Sequence, residues 1–226
     1  MERNEFLKKL DHFWYYYKFH VIGGVVAVIL LFSLIKDIVN QEKPDIAIAN
    51  IGVRVMQEES MANFKKKMDQ IIIDADNNGK KHTQILPILY YDKMDPQQLQ
   101  ATSQKIQLTL IGGEAQLFIV DKSTFKDIAN LGAFQPLDEL AAKYGINANQ
   151  NPDIKLKPKE GNEEHIYGLP LSDNELLKEI GYDSKEVFAA IKVVNNDEQK
   201  KKNTQALYKN AFSILEEMIK HNKKAG

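Results

Sequence analysis

Apolar residues fill one long stretch near the amino terminus and then recur with strand and helix periods along the rest of the chain. From Val21 to Ile35 no residue is charged, and the aromatic rings of Trp14–Tyr17 precede this run. A helix rises about 1.5 Å per residue, so Phe13–Val39 is long enough to cross a hydrocarbon layer of roughly 30 Å. Tryptophan and tyrosine rings favour the headgroup level of a membrane. We therefore predict one transmembrane helix, contacting the lipid bilayer through Phe13–Val39.

Two other interpretations of this stretch are a buried core helix and a cleaved signal peptide. A core helix usually keeps a polar face, which Val21–Ile35 lacks. Signal cleavage needs a small-x-small site just after the apolar run, and Lys36–Glu42, KDIVNQE, contains none. There is no cysteine to which a lipid could be attached. We expect the segment to remain as an anchor.

The basic residues around the apolar run predict its orientation. More of them precede the run than closely follow it; they are Arg3, Lys8, Lys9 and Lys18 before it, and Lys36 and Lys43 after it. Positive residues favour the cytoplasmic side. We expect a cytoplasmic tail over residues 1–12, a transmembrane helix over 13–39, a linker over 40–44 and an extracytoplasmic domain over 45–226. The protein would then be a single-pass protein of a bacterial cell membrane.

Strand and helix patterns alternate beyond the linker. Period-two or continuous apolar runs predict strands over 45–55, 83–91, 115–120, 165–171 and 186–194. Apolar spacings of three and four, with caps and breakers, predict helices over 58–74, 96–110, 123–129, 136–144, 173–180 and 204–221. This order predicts an α/β fold: one three-layer domain with a mostly parallel sheet of about five strands. Pro87 predicts an edge position or a bulge for the second strand.

Charge narrows the choice of partners. The chain has 30 basic and 31 acidic residues, a balance that gives no electrostatic argument for nucleic acid. The basic run Lys200–Lys202 lies among asparagines and an aspartate and predicts a solvated loop. Without cysteine the domain has no disulfides, so its core must hold it together.

Three phrases, in order, resemble the extracellular solute-binding proteins of ABC importers, which have the type 2 periplasmic-binding-protein fold. Leu117–Gly145 contains GAFQPLDEL, similar to a phrase that follows a strand and short helix in that family. His165–Leu171, HIYGLPL, resembles the strand that leads to the second lobe. Asn203–Ile219 resembles the helix after the return crossing. The resemblance implies the fold of the first lobe over most of Asp45–Ile219.

The chain departs from that family where the second lobe should be. Only Ser172–Lys185 lies between the outgoing and returning strands, whereas a second lobe would need on the order of 100 residues. One lobe cannot close around a ligand, and a shared fold does not establish binding. We expect a membrane-anchored interaction or accessory module that contacts another envelope protein. The alternative is a tethered small-solute receptor or an accessory subunit of an ABC transporter.

A polar turn, DADNNGKK, suggests a calcium site. Asp74, Asp76, Asn78 and Gly79 match the first, third, fifth and sixth positions of an EF-hand-type loop. The acid usual at the twelfth position is missing, since Ile85 stands there. The alternative is a turn in which asparagine and glycine supply positive φ. Calcium is the one cofactor that the sequence suggests, as a weak site.

Polar residues follow the predicted strands at the positions where open α/β sheets bind ligands. The candidate ligand-binding residues are Arg54, Asp92, Asp121, Lys122 and Ser123. The alternative for Asp121 and Ser123 is capping of the following helix.

No catalytic motif is present. The sequence has no cysteine nucleophile, no G-x-S-x-G elbow, no H-E-x-x-H and no phosphate-binding G-x-x-x-x-G-K-[ST], and its five histidines lack metal-ligand spacing. We therefore expect no enzyme activity.

Overall fold

The structure, a computed structural model, describes residues 2–39, 43–91, 93–149, 151–157, 163–200 and 202–222. The chain forms two separately packed units, Met1–Glu42 and Lys43–Gly226. The first unit is one helix, α1, Glu2–Val39, which begins earlier than the predicted transmembrane segment. By length and composition its segment Trp14–Ser33 could cross a membrane, and none of that segment is buried. A core helix would instead be buried.

The second unit alternates strands and helices. The strands are β1 Ile46–Gly52, β2 Thr83–Leu89, β3 Leu117–Asp121, β4 Lys155–Leu156, β5 His165–Ile166, β6 Leu169–Pro170 and β7 Val187–Ile191. The helices are α2 Glu58–Ile71, α3 Pro96–Ile111, α4 Lys122–Asn130, α5 Asp138–Lys143, α6 Glu175–Glu179, α7 Asn196–Gln199 and α8 Thr204–Lys220.

Five strands form one mostly parallel sheet, as predicted, and their order in the sheet is β2-β1-β3-β7-β6. Strand β1 is parallel to its two neighbours, β2 and β3, whereas β7 is antiparallel to both β3 and β6. We call the side where β1, β2 and β3 begin the amino edge, and the side where they end the carboxyl edge. The strands β4 and β5 pair separately.

The sheet has a hydrophobic core on each face, which makes the domain three-layered. Successive residues of a strand point to opposite faces. Accordingly, Ile46 and Ile48 enter the core beneath α2 and α8, while Ala47 and Ala49 enter the core beneath α3 and α4. Every residue of β1 is buried, because the strand is covered on both faces.

Two predicted elements differ from the structure. The predicted strand 165–171 is divided into β5 and β6, because Tyr167 and Gly168 leave the ladder and Gly168 packs against the ring of Phe125. Lys200 and Lys202 are exposed turn residues, as expected for a solvated loop, but the polar stretch before them contains a short helix that was not predicted. This helix, α7, is closed by a capping box between Asn195 and the buried Glu198.

Candidate functional site

A cavity of about 660 Å³ lies at the carboxyl edge, where β1 and β3 end and β7 begins. Its walls include Arg54, Asp121, Lys122 and Ser123, which are four of the five candidate ligand-binding residues. The fifth candidate, Asp92, lies outside the described residues. The four residues meet because parallel strands end at the same edge of a sheet.

Asp121 is held by backbone and hydroxyl donors on both sides of the cavity. Gly52 permits its approach, since a Cβ at this glycine would lie 2.5 Å from Oδ2 of Asp121. The same oxygen accepts a hydrogen bond from Val53 N at 2.8 Å. Oδ1 accepts from Thr124 N and from Ser123 Oγ, each at 3.2 Å. Asp121 thus caps α4, as the capping alternative predicted, whereas Ser123 lies inside α4 and donates to the cap.

Three cations of the cavity, Arg54, Lys122 and Lys126, have carboxylate partners. Arg54 forms an ion pair with Asp183, which lies across the cavity after α6. Asp153, in the 3₁₀ turn Pro152–Ile154, accepts from Lys122 and Lys126 at 2.5 Å each. These two ammonium groups lower the pKa of Asp153, and Asp153 raises the pKa of Lys122. A ligand that approaches Arg54 or Lys122 would have to compete with, or insert between, these pairs.

A buried polar network forms the floor of the cavity. Tyr182 lines it, and its hydroxyl accepts from Asn50 Nδ2 at 3.0 Å and donates to the carbonyl oxygen of Arg54 at 3.3 Å. Asn50 is fully buried in β1, and its Oδ1 accepts from Met56 N at 2.6 Å. Burial raises the pKa of Tyr182, which keeps its hydroxyl protonated and able to donate.

The sequence analysis missed Asp153, Asp183, Asn50 and Tyr182. Asp153 and Asp183 lie between predicted elements, where an aspartate is ordinary. Asn50 could have been identified from the sequence, because a side-chain amide inside an otherwise apolar strand must find buried hydrogen-bond partners. The identity of those partners depends on the sheet order.

A second cavity, of about 850 Å³, lies between α5 and α8. Asp138 and His165 meet there, with 3.1 Å between Oδ2 and Nδ1. On the other wall Lys143 Nζ donates to Glu216 at 2.9 Å and lowers the pKa of that carboxyl group. This cavity is away from the strand ends, and no candidate ligand-binding residue lines it.

The structure places the predicted calcium residues in a turn at the amino edge. One oxygen from each of Asp45, Asp74 and Asp76 lies within 4.8 Å of the others, so Asp45 joins the set that the sequence suggested. The Oδ1 of Asn78 instead accepts from Lys80 N at 2.8 Å. Asn77 and Gly79 have φ values of 59° and 83°, as the turn alternative predicted.

The carboxylates of this turn accept backbone hydrogen bonds. Asp74 accepts from Gly79 N at 2.8 Å and from Asn78 N at 3.2 Å. Burial acts to raise the pKa of Asp74, but these backbone donors outweigh it and lower the pKa. Asp45 accepts from Ala75 N at 2.6 Å and from His82 N at 2.8 Å. The turn is therefore closed by its own hydrogen bonds.

Three histidines of the domain, His82, His165 and His221, each contact a different partner. His82 contacts Lys65 Nζ at 2.8 Å, and His221 contacts the carbonyl oxygen of Glu217 at 2.9 Å. With His165 beside Asp138, the three lie in different parts of the domain, and none lines the cavity at the carboxyl edge.

Comparison with known proteins does not assign this chain to a family. No protein-family model matches the chain, and no curated protein matches it. Among solved structures, the chain is similar to an extracellular solute-binding protein family 1 from Alicyclobacillus acidocaldarius subsp. acidocaldarius DSM 446, with 17% identity and a TM-score of 0.34. The match covers 63% of this chain and 34% of that protein. Similarity this low does not establish function, which has to come from the chain's own residues.

Proposed function

We propose that this chain is a single-pass membrane protein whose extracytoplasmic α/β domain serves as an interaction or accessory module. Its contact site is the cavity at the carboxyl edge, and its partner is another envelope protein. The observation that carries this proposal is that Arg54, Asp121, Lys122 and Ser123, predicted from separate strand ends, line one cavity.

The anchor is supported by the exposed apolar helix. Trp14–Ser33 has the length and composition of a membrane span and buries none of its surface. An apolar face of that size is unfavourable in water and is normally covered by lipid or protein. The larger number of basic residues before the span favours a cytoplasmic amino terminus and an exported domain.

The composition of the cavity favours a protein partner over a small solute. Small-molecule sites are predominantly apolar, with few polar groups, and enclose most of the ligand. Here seven of the eleven lining residues are charged, and Arg54 and Asp183 are both exposed. Exposed charges of both signs suit the polar rim of a protein interface.

A tethered solute receptor, or an accessory subunit of an ABC transporter, is the second candidate. The cavity volume of about 660 Å³ favours it, because ligand sites commonly enclose about 300–1,000 Å³. Catalysis is not part of either proposal, since the sequence lacks the motifs named above and the three histidines lie apart.

Site-specific photo-crosslinking in living cells tests the proposal. A photoreactive amino acid at Lys185, an exposed residue of the cavity wall, is expected to capture one discrete envelope protein. The same residue at Gln107, exposed on α3, is the matched control and should capture none. The double variant R54A/K122A should lose the Lys185 product. Equal capture at both positions would exclude the cavity as the contact site.

Thermal stability measurements distinguish the receptor alternative. A solute that binds only the native state raises the apparent stability by RT ln(1 + [L]/Kd). The interaction module predicts no shift of Tm for the full chain with a panel of small solutes. A shift with one solute that R54A/K122A abolishes would support the receptor.

A further inference from the structure

Glu186, in the wall of the cavity at the carboxyl edge, has a backbone conformation that glutamate rarely adopts. Its φ is 56°, in the left-handed region. Among the described residues, two others that are not glycine have positive φ, Asn77 and Asp173, and both belong to residue types that are enriched several-fold in this region. Glutamate is not enriched there, and its Cβ lies too close to the following carbonyl oxygen. The backbone at Glu186 is therefore strained.

Hydrogen bonds on both sides hold Glu186 in this conformation. It is the third residue of a turn that Val187 N closes by donating to Ser184 O at 3.2 Å. Positive φ at the third residue is typical of a type II turn, where glycine is usual. The carbonyl oxygen of Glu186 accepts from Lys122 N at 2.9 Å, next to the paired ends of β3 and β7. Glycine could make the same turn without the clash at Cβ.

No described residue pairs with the Glu186 side chain. This side chain is exposed, lines the cavity, and has no ion pair or hydrogen bond to any residue that the structure describes. The other acids of the cavity wall, Asp121 and Asp183, both accept hydrogen bonds. Asp153 raises the pKa of Lys122 more strongly than Glu186 does, so that ammonium group is already occupied. The carboxylate of Glu186 therefore gains nothing within the domain that would offset the strain.

Strained backbone conformations of this kind cluster at binding sites, where the surrounding structure holds them in place. We infer that the Glu186 carboxylate receives a basic side chain, lysine or arginine, from the envelope protein that contacts the cavity. This inference rests on the proposed function of the cavity. Charge complementarity gives the cavity's unpaired carboxylate a cationic partner, and a charge-assisted hydrogen bond to it is among the stronger contacts that a protein interface makes.

Photo-crosslinking from Val53 in living cells tests this inference on the full chain. Val53 is exposed on the cavity wall just after β1, so a photoreactive amino acid there leaves the turn of Glu186 unchanged. We expect Glu186→Gln to lower the yield of the envelope-protein product roughly tenfold or more, since it keeps the shape of the side chain and removes its charge. Glu114→Gln, at an exposed acid of the amino edge, is the matched control and should leave the yield unchanged.

A second variant, Glu186→Gly, separates contact with the partner from a role in the fold. Glycine removes both the side chain and the strain, so the Tm of the purified full chain should rise by up to about 4 °C. The product from Val53 should fall as it does with Glu186→Gln. Asn77→Gly places a glycine at a similar φ outside the cavity and should leave the product unchanged. A lower Tm for Glu186→Gly would show that the side chain serves the fold, and would overturn the inference.

A charge exchange completes the test. Mass spectrometry of the product identifies the partner's basic residues near the crosslink. Glu186→Lys should abolish the product, and glutamate in place of one of those basic residues should restore it. An unchanged yield with Glu186→Gln overturns the inference but leaves the proposed function intact. No product from Val53 or Lys185 in the otherwise unaltered chain contradicts the proposed function, and the inference with it.

Discussion

The missing side chain of Gly168 leaves space for an aromatic cluster beneath α4. A Cβ at this position would lie 2.5 Å from Cε2 of Phe125. The Phe125 ring in turn stacks on Phe134, with 5.8 Å between centroids, and contacts Phe188 at 5.1 Å. We expect Gly168→Ala to displace this ring and lower the free energy of unfolding by about 1–3 kcal/mol, the usual cost of overpacking a core. Urea unfolding of the two proteins measures it.

A double-mutant cycle provides the control for Gly168. Phe125→Leu removes part of the ring that a new methyl group would meet, so Gly168→Ala should cost less in that background than alone. Equal costs in both backgrounds would show that the contact with Phe125 is not the cause.

Asp153 pairs with two lysines of the cavity and makes a pH-dependent contribution to the stability of the folded protein. Lys122 and then Lys126 lower the pKa of Asp153 from its ordinary 3.8. A carboxyl group with a lowered pKa stabilises the folded state above its unfolded pKa, and that stabilisation disappears as pH falls through the folded value. We expect Asp153→Asn to lower stability near neutral pH by up to about 1 kcal/mol. The difference from the parent should shrink below about pH 4.

Thermal melts of the two proteins from about pH 6 to about pH 3 check this expectation. Asp127→Asn, which changes an exposed carboxylate on α4, is the matched control. A difference between parent and Asp153→Asn that grows as pH falls has the wrong sign and would contradict the ion-pair explanation.

The turn that holds Asp74 and Asp76 allows a test of the calcium hypothesis. We propose a weak site there, with Asp45 supplying the acid that the loop lacks at its twelfth position. Extracellular calcium modules bind with Kd values of roughly 10⁻⁴–10⁻³ M. Calcium at about ten times its Kd should stabilise the domain by about 1.4 kcal/mol. A rise in Tm that Asp76→Asn abolishes and Asp127→Asn leaves intact supports the site, whereas no rise in millimolar calcium leaves only a turn.

At the scale of elements, a buried ion pair fastens α7 to the end of β7. Lys192 Nζ lies 2.5 Å from Glu198 Oε2, and the two side chains are 3% and 6% exposed. Removing one partner leaves an uncompensated buried charge. We expect Lys192→Met to lower the free energy of unfolding by about 3–5 kcal/mol, and K192M/E198L to recover much of that loss.

The exposed pair Lys200–Asp197 is the matched control for this prediction. Lys200→Met should change stability by less than about 1 kcal/mol, because solvent screens an exposed pair. Similar losses for Lys192→Met and Lys200→Met in denaturant titrations would mean that burial of the pair contributes nothing.

Both edge strands of the sheet contain a proline. Tyr90 N donates to Gly52 O, so even-numbered positions of β2 face β1, and Pro87 faces outward at the free edge. The outward N–H of Thr83 is occupied by Asp69 at 2.7 Å. Pro170 lies in β6 at the opposite edge. Such edges resist the addition of further strands, so partners are expected at the strand ends rather than alongside the sheet.

The extent of agreement between sequence and structure also differs between elements. The long strands and helices from Ile46 to Ile111 are found close to where their apolar periodicity predicted them, because each buries a face that its own residues define. Pro87 at a sheet edge is likewise confirmed. The segments β5 and β6 were predicted as one strand, and α7 was not predicted, since distant partners decide their conformation; Gly168 leaves the ladder because of Phe125.

At the scale of the whole molecule, the proposed orientation in the membrane gives a direct prediction. Alkaline phosphatase fused after Gly226 should be active, because the enzyme folds only outside the cytoplasm, and a green fluorescent protein at the same site should be dark. The matched fusions before Met1 should give the opposite pair of signals. Fluorescence from the carboxyl-terminal fusion would place the domain in the cytosol and rule out the proposed topology.

The sequence alone determined the apolar helix, the α/β class and the polar residues at the strand ends, because these follow from local periodicity and from the residue after each strand. Tertiary structure alone decided that β7 runs against β3, that Asp183 and Asp153 pair with the cavity cations, and that Asp45 joins Asp74 and Asp76. Those contacts join residues far apart in the chain. They depend on the order in which strands pair, and no short-range pattern encodes that order.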